Sequence, residues 1–567
     1  MKIAIGRVTR GVSAALAGPS GPRLLILLAN VLCAAAHAAD EAPGQPGVAP
    51  ASEEAQARSS APASVAEREA AQGASEPAAG RARSVLYVPE IVKDQIREEL
   101  QQRVMRQAVA ERWATPNAIP AWTQRLAFNA DVRLRWEMVF FKQGNATSGE
   151  FPDFNAINTG APFEVTASDI ANDRYFNVDQ NRRRLRLRAR LGVEGDLGQG
   201  FSTALRLASG EGSSPVSTNQ TLGGSAGNFS KYQLWIDRAA LRYEPVRAGP
   251  AGLSLQGGRF EDPFFRTELT WADDLGFDGF ALQGRLPAAK LELFLNAGAF
   301  PFFMTGLHYP SEQQKKFRSF DKWLLAGQVG VEWKRPEVFS LKLGAAYYYF
   351  DHVEGRVGSP CNITIAKGSC DTDSTRPAFA QKGNTYKALR TPDLAFSTGS
   401  APEYQYFGLA SLFREVVLTG RFEVRAAPAW KLAVDAEAVR NFGLSKRRIA
   451  DLAVNNRSSC PEQIHCPYAG GSMGYLARIA IGSPTMAKRW SWSASVAYRH
   501  LESDAVIDAF ADPDFGLGGT NLKGVTVRGA LALADSVLAS VRWMSADAIA
   551  AWPYGVDLLQ FDVSARY

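Results

Sequence analysis

From Asp557 to Tyr567 every second residue is apolar: Leu559, Phe561, Val563, Ala565 and Tyr567 fall on one side, Gln560, Asp562, Ser564 and Arg566 on the other. This two-residue period is the mark of a strand with one oily and one wet face, and it ends on an aromatic, where a membrane barrel places an interfacial girdle. Such a strand needs a partner on each edge. Arg125 to Phe141 offers the same pattern, with Leu126, Phe128, Ala130, Val132, Leu134, Trp136, Met138 and Phe140 alternating with Asn129, Asp131, Arg133, Arg135 and Glu137. Two matching strands at opposite ends of a long chain imply a sheet closed on itself.

Between them the alternation recurs at 181–193, 201–209, 231–243, 253–260, 277–286, 290–300, 322–334, 338–350, 415–425, 430–441, 473–482, 490–500, 519–533 and 537–546. With the two terminal strands the total is sixteen. The phase slips at Asp237, which shares a side with Trp235 and Leu241, so a bulge is expected there. Long connections (142–180, 210–230, 261–276, 301–321, 351–414, 442–472, 501–518, 547–556) alternate with short ones near 196, 247, 288, 336, 427, 486 and 535. Up-and-down outer-membrane barrels sort their loops in this way, with short periplasmic turns and long outer loops. The expected fold is therefore an all-β, sixteen-stranded antiparallel transmembrane barrel over residues 125–567. No apolar run is long enough to cross a bilayer as a helix.

Ahead of the barrel, Lys2, Arg7, Arg10 and Arg23 precede the apolar stretch Leu24 to Cys33 and the site Ala36-His37-Ala38. This is the make-up of a signal peptide, residues 1–38, with Cys33 part of its apolar core. Its removal lowers the formal net charge from +6 to +2, too small a surplus for a nucleic-acid partner. Residues 39–84, rich in Ala, Pro, Ser, Glu and Gly, read as a disordered periplasmic leader. Within 85–124, Ile96, Leu100, Val104 and Ala108 recur at intervals of four, an amphipathic helix suited either to a coiled-coil arm between protomers or to packing on its own barrel.

Side chains two apart on a strand point the same way, so Arg184, Arg186, Arg188 and Arg190, with Arg133, Arg135 and Arg206 on flanking strands, make a cationic wall in the lumen. Two readings stay open: a field that concentrates anions, or a solvated face neutralised by acids such as Asp131, Glu137 and Glu194. The third long connection holds Glu261, Asp262, Glu268, Asp273 and Asp274; folded inward it becomes a constriction opposite the arginines, folded outward an ordinary loop. Cys361 with Cys370, and Cys460 with Cys466, each lie in one long loop of an exported chain and are expected as local disulfides. No cofactor, metal site or catalytic residue is expected: His308, His352, His465 and His500 lie in or beside loops, and no Gly-x-Ser-x-Gly turn accompanies them.

Four segments also resemble the bacterial family of putative porins: YVPE at Tyr87–Glu90 with Glu111–Trp113, IDRAALRY at Ile236–Tyr243, GRFEDPF at Gly258–Phe264 and LGFDG at Leu275–Gly279. The resemblance runs from about residue 85 to the end and implies an outer-membrane pore, without naming a substrate. Strand phase, loop asymmetry and the arginine wall make passive diffusion of small hydrophilic solutes with a mild anion bias the expectation; the expected partners are outer-membrane lipid, lipopolysaccharide, the barrel-assembly machinery and, with the helix after Ile91 as reinforcement, two further copies in a homotrimer. An adhesin or receptor barrel working through its outer loops is the alternative.

Overall fold

The computed structural model describes residues 98–100, 102–104, 106–107, 123–166, 174–212, 214–224, 227–246, 251–288, 290–306, 309–314, 318–335, 338–396, 399, 401–427, 429–458 and 466–567. The chain divides into two units, Met1–Gln101 and Gln102–Tyr567. Residues 98–100 of the first are helical, as are 102–104 and 106–107 of the second. The expected signal, the leader and the rest of the amphipathic helix lie outside the described residues.

Sixteen long strands follow: β1 Leu126–Phe141, β2 Arg182–Gly198, β3 Phe201–Ser209, β4 Leu234–Val246, β5 Gly252–Glu261, β6 Gly276–Ala288, β7 Leu291–Phe303, β8 Lys322–Arg335, β9 Phe339–Asp351, β10 Arg414–Ala427, β11 Trp430–Asn441, β12 Met473–Gly482, β13 Trp492–Leu501, β14 Leu522–Ala534, β15 Val537–Ala548 and β16 Gly555–Arg566. Each pairs antiparallel with its neighbours in sequence, and β1 also pairs with β16, Leu134 opposite Val563 and Glu137 opposite Gln560. That last ladder closes the ring. Closure leaves no free edge, the condition for a sheet to cross hydrocarbon. A two-residue ladder, Gln220–Thr221, adds to β2 at the loop end.

Burial runs opposite to that of a water-soluble protein. Val132, Leu134, Leu185, Leu191, Leu418 and Val563 are exposed, while Asp131, Arg135, Glu137, Arg188, Asp435 and Gln560 are buried on the alternate positions. The exposed row suits lipid, and the polar row faces inward. Aromatic residues frame it: on β8 and β9, Trp333 meets Phe339 near the turn end, and Tyr347 and Tyr349 stand near the loop end.

The slip at Asp237 is a bulge, because Arg238 pairs with Arg206 while Ile236 pairs with Leu207. Loop sorting holds with one exception: the last outer connection, 549–554, is shorter than the turn 483–491 on the opposite end. The outer connections are not loose. Helix α1, Phe154–Thr159, is capped by Asp153, whose side chain accepts from the Ala156 N–H, and its Phe154 stacks on Tyr386 with ring centroids 4.1 Å apart. Asn158 and Phe407 exchange two hydrogen bonds.

Candidate functional site

One connection crosses the interior. Between β5 and β6, residues 262–275 touch β8, β11, β12 and β2 in turn, strands from opposite sides of the ring. The Gln328 side chain on β8 exchanges hydrogen bonds of 2.8 and 2.7 Å with the Phe265 backbone. Glu437 on β11 accepts from the Thr267 N–H and the Thr270 hydroxyl, each at 2.6 Å. Glu268 pairs with Arg478 of β12, and Asp274 lies 3.5 and 3.4 Å from Arg188 and Arg190 of β2. Only a path through the barrel makes all these contacts, so the loop folds inward. Phe264, Leu269 and Trp271 explain why: each is buried, against Phe277, Phe300, Tyr348 and Phe350, and an outer loop in water would leave them exposed.

A second connection joins it from the other side. In residues 502–521, Phe510 accepts from the Ala272 N–H at 2.9 Å and packs on Trp271. Further along, Asp514 reaches Arg135 of β1 at 2.9 Å and also binds Arg542 of β15. Burial opposes the charge of Asp514, but Arg135, Arg542 and Arg186 outweigh it and hold the carboxyl well below the usual range. Asp274 behaves alike, held down by Arg188 and Arg190 against burial.

The register brings the arginines expected on β1 and β2 together: Arg133 stands opposite Arg188, Arg135 opposite Arg186, Glu137 opposite Arg184 and Asp131 opposite Arg190. Most are paired. Arg184 and Arg186 lie on Glu137 at 2.6 and 3.5 Å, Arg188 and Arg190 on Asp131 at 2.9 and 2.8 Å, and Arg135 on Asp562 at 2.8 Å. Arg133 has no carboxylate within ion-pair distance among the described residues; its guanidinium donates to Asn219. Arg206 sits apart, on Asp237 and Glu261. Of the acids on the infolded connection, Asp262 and Asp273 both hold its own Arg266, at 2.9 and 2.7 Å, and Asp273 is 84% exposed.

The inner wall continues beyond the residues singled out in sequence. Arg478, Arg528 and Arg542 extend it across β12, β14 and β15, with Arg528 directly opposite Arg542. Each stands as a lone charge between apolar or small neighbours, for instance Val541 and Trp543 around Arg542, and that is the signal that could have found them. Cys361 and Cys370 are disulfide-bonded. Cys466 is also half of a disulfide, while Cys460 lies outside the described residues. Among the described residues no cluster of His, Cys, Asp or Glu is arranged to hold a metal ion.

A closed sixteen-stranded barrel with a lipid-facing exterior, a charged inner wall and an infolded loop defines a transmembrane barrel of the channel class. The putative porin family model matches residues 37–567, and the chain belongs to that family; it is an outer-membrane β-barrel. No curated protein matches it by sequence. Among solved structures it is similar to OprB of Pseudomonas putida (10% identity, TM-score 0.40, covering 78% of this chain and 95% of that one). It is similar also to the outer membrane channel DcaP of Acinetobacter baumannii (9%, 0.35, 78% and 98%) and to OmpF of Salmonella typhi in complex with daunomycin (8%, 0.34, 78% and 97%).

Proposed function

We propose that this barrel is a water-filled channel for passive diffusion of small hydrophilic solutes, with a mild preference for anions. One observation supports the preference. On the inner face of β15, β16, β1 and β2, six guanidiniums (Arg135, Arg184, Arg186, Arg188, Arg190, Arg542) pair with five carboxylates (Asp131, Glu137 and Asp562 on the strands, Asp274 and Asp514 on the infolded connections), and a seventh, Arg133, stands among them on Asn219. A surplus of two in a wet lumen, where charges farther apart than a Debye length of about 8 Å are screened, biases traffic without filtering it. The exposed Asp273 on the infolded loop supplies the opposing sign across the constriction.

On this reading residues 1–38 direct export, 39–84 and 85–124 lie in the periplasm, and the helix reinforces a homotrimer. Single-channel recording in planar bilayers is the test: open conductance that scales with salt is expected, and a barrel silent at every salt concentration is a receptor or adhesin instead. The packed outer layer around Phe154, Tyr386 and Phe407 is what favours that second reading. Reversal potentials in a salt gradient test the charge preference, and crosslinking of the native protein tests the trimer.

A further inference from the structure

At the outer mouth, where the first, sixth and last outer connections meet, the surface opens into a cleft of about 350 Å3, at the small end of the roughly 300–1,000 Å3 typical of ligand pockets. Its lining is rich in aromatic rings: Phe154 and Tyr554 are buried, and Phe151, Phe176 and Trp552 are half-buried. Rings gathered around one water-facing cleft leave apolar surface for a ligand's apolar face to cover.

The walls of the cleft are strained and braced. Asn456, Asn521 and Ala551 take left-handed φ values of 58°, 59° and 68°, and all three line it. Asparagine tolerates that conformation; alanine adopts it only where its surroundings enforce it, and enforced backbone of this kind gathers at binding sites. The Asn521 amide supplies the enforcement, exchanging hydrogen bonds of 2.9 and 3.0 Å with the Ala550 backbone. On the other side of Trp552, the Pro553 carbonyl accepts from the Ala146 N–H at 2.8 Å. Trp552 is thus presented by a turn fixed before any ligand arrives, so binding loses little to ordering.

The polar groups left for a ligand are few. The Trp552 indole N–H, the Glu150 carboxylate and the Ser458 hydroxyl have no hydrogen-bond or ion-pair partner among the described residues. Charge decides what they receive. Glu150 repels an anion, while Arg457, whose Nε and Nη1 already donate to the Ala453 and Cys466 carbonyls, and Lys382, 5.1 Å from the Tyr554 ring, repel a cation. A neutral ring with an apolar face and hydroxyls at its edge suits every group: its C–H bonds lie over the aromatic faces, its hydroxyls donate to Glu150, and a hydroxyl oxygen accepts from Trp552. That is the chemistry of a sugar.

We propose that this cleft binds a neutral saccharide, with Trp552 as its stacking platform and Glu150 as its hydroxyl acceptor. The inference rests on the channel reading for its role, since it names a class of solute held at the channel's mouth, and not for the binding itself. The measurement is isothermal titration calorimetry of the full chain in a polyoxyethylene detergent, which carries no sugar head. The probes are glucose, maltose, glycerol, benzoate and choline, for the parent, Trp552→Ala, Trp552→Phe and Glu150→Gln. Folding of each variant is checked by heat-modifiable migration, and conductance in planar bilayers is recorded alongside.

Glucose or maltose is expected to bind the parent with a Kd on the order of 1 mM, roughly 10-fold more weakly in Trp552→Ala and roughly 3-fold more weakly in Trp552→Phe and Glu150→Gln. Glycerol, which lacks a ring face, and the charged probes benzoate and choline should not compete. Absence of saturable binding by either sugar overturns the proposal. So does equal binding by the parent and all three variants, or tighter binding of benzoate or choline than of sugar, which marks an aromatic pocket for an ion. If Trp552→Ala does not fold, Trp552→Phe and Glu150→Gln supply the comparison. A chain that conducts but ignores sugar sinks the cleft alone; one that binds sugar but stays silent sinks the channel alone.

Discussion

The inner face of the barrel is two different walls. From β5 to β11 its inward residues include Phe260, Phe277, Phe300, Leu324, Tyr348, Phe350, Val417 and Val439, all buried beneath the infolded connection. From β14 through β16 to β2 they include Arg528, Arg542, Gln560, Asp562, Arg135, Glu137 and the arginines of β2. Alternation is the same in both, and what lies against it differs. Burying an aromatic side chain contributes about 1.5–3 kcal/mol, whereas the ion pairs of the charged wall, with partners as buried as Arg135 and Glu137, offset much of their attraction by the cost of desolvating both charges. The packed wall therefore does most to fix the loops, and the charged wall is the one that the proposed function assigns to solutes.

Removing Trp271 is the most severe way to break this division. Trp271→Ala empties the centre of the packed wall, between Tyr348, Phe277 and Phe510, at a cost of about 3–5 kcal/mol. Residues 262–275 should become sensitive to limited proteolysis while the staves keep their heat-modifiable migration, and conductance should become larger and noisier. A quiet, protease-resistant variant contradicts the assignment of loop stability to this wall. The next effect belongs to the other wall. Asp514→Asn leaves Arg135 with Asp562 and Arg542 with Gln560, costs about 1–3 kcal/mol and raises the cationic surplus. The reversal potential should move toward stronger anion preference, and a move toward cations refutes the proposed role of the charged wall.

The staves were legible because a period of two needs no distant information. Even the bulge at Asp237 announced itself as a conflict of phase. The arginines of β2 could be placed on one face by spacing alone, but not their neutralisation: Asp514 and Asp562 lie hundreds of residues from Arg135 and meet it only because the ring closes. Inward folding of residues 262–275 was left open because its acids look like those of any hydrated loop; the telling residues were Phe264, Phe265, Leu269 and Trp271. The packed wall was hidden for a related reason. Strands apolar on both faces, such as β7 with Phe294 and Phe300 inward and Leu293 and Leu295 outward, do not reveal by period which side a loop will cover.

The connection 502–521 bridges the walls, and its pH response sharpens the comparison. Lys382 donates to the Gly516 and Gly518 carbonyls, the latter at 2.9 Å, and burial and Arg182 lower its pKa to about 7. In the neighbouring Asp508, burial raises the pKa to about 7, offset in part by the Tyr386 hydroxyl. Between about pH 7 and the ordinary lysine value of 10.5 the opened loop binds a proton that the closed loop has shed, so closure strengthens as pH rises. From the ordinary aspartate value of 3.8 to about 7 the closed loop holds a proton that the opened one has lost, so closure weakens as pH rises. The protection factors of the amides in 502–521, taken against the pH-dependent intrinsic exchange rate, should accordingly be lowest near neutrality. Lys382→Met should flatten the alkaline limb and Asp508→Asn the acid limb; a monotonic profile in the parent excludes the pair.

The smallest expected effect separates charge from stability. Arg528 is exposed on the inner face, stands opposite another arginine and has no ion pair among the described residues, so nothing is left unpaired when it is replaced. Arg528→Gln should change the melting temperature by no more than surface substitutions do, within about 0.5 kcal/mol, and should still move the reversal potential toward cations by removing an unneutralised charge that faces the passage. Arg188→Gln carries the same change in formal charge but leaves Asp131 and Asp274 sharing Arg190 as their one ion-pair partner among the described residues. It should therefore destabilise more. If Arg528→Gln leaves selectivity untouched while Arg188→Gln shifts it, the ions travel along β1 and β2 and not past β14, and the charged wall is narrower than its residues.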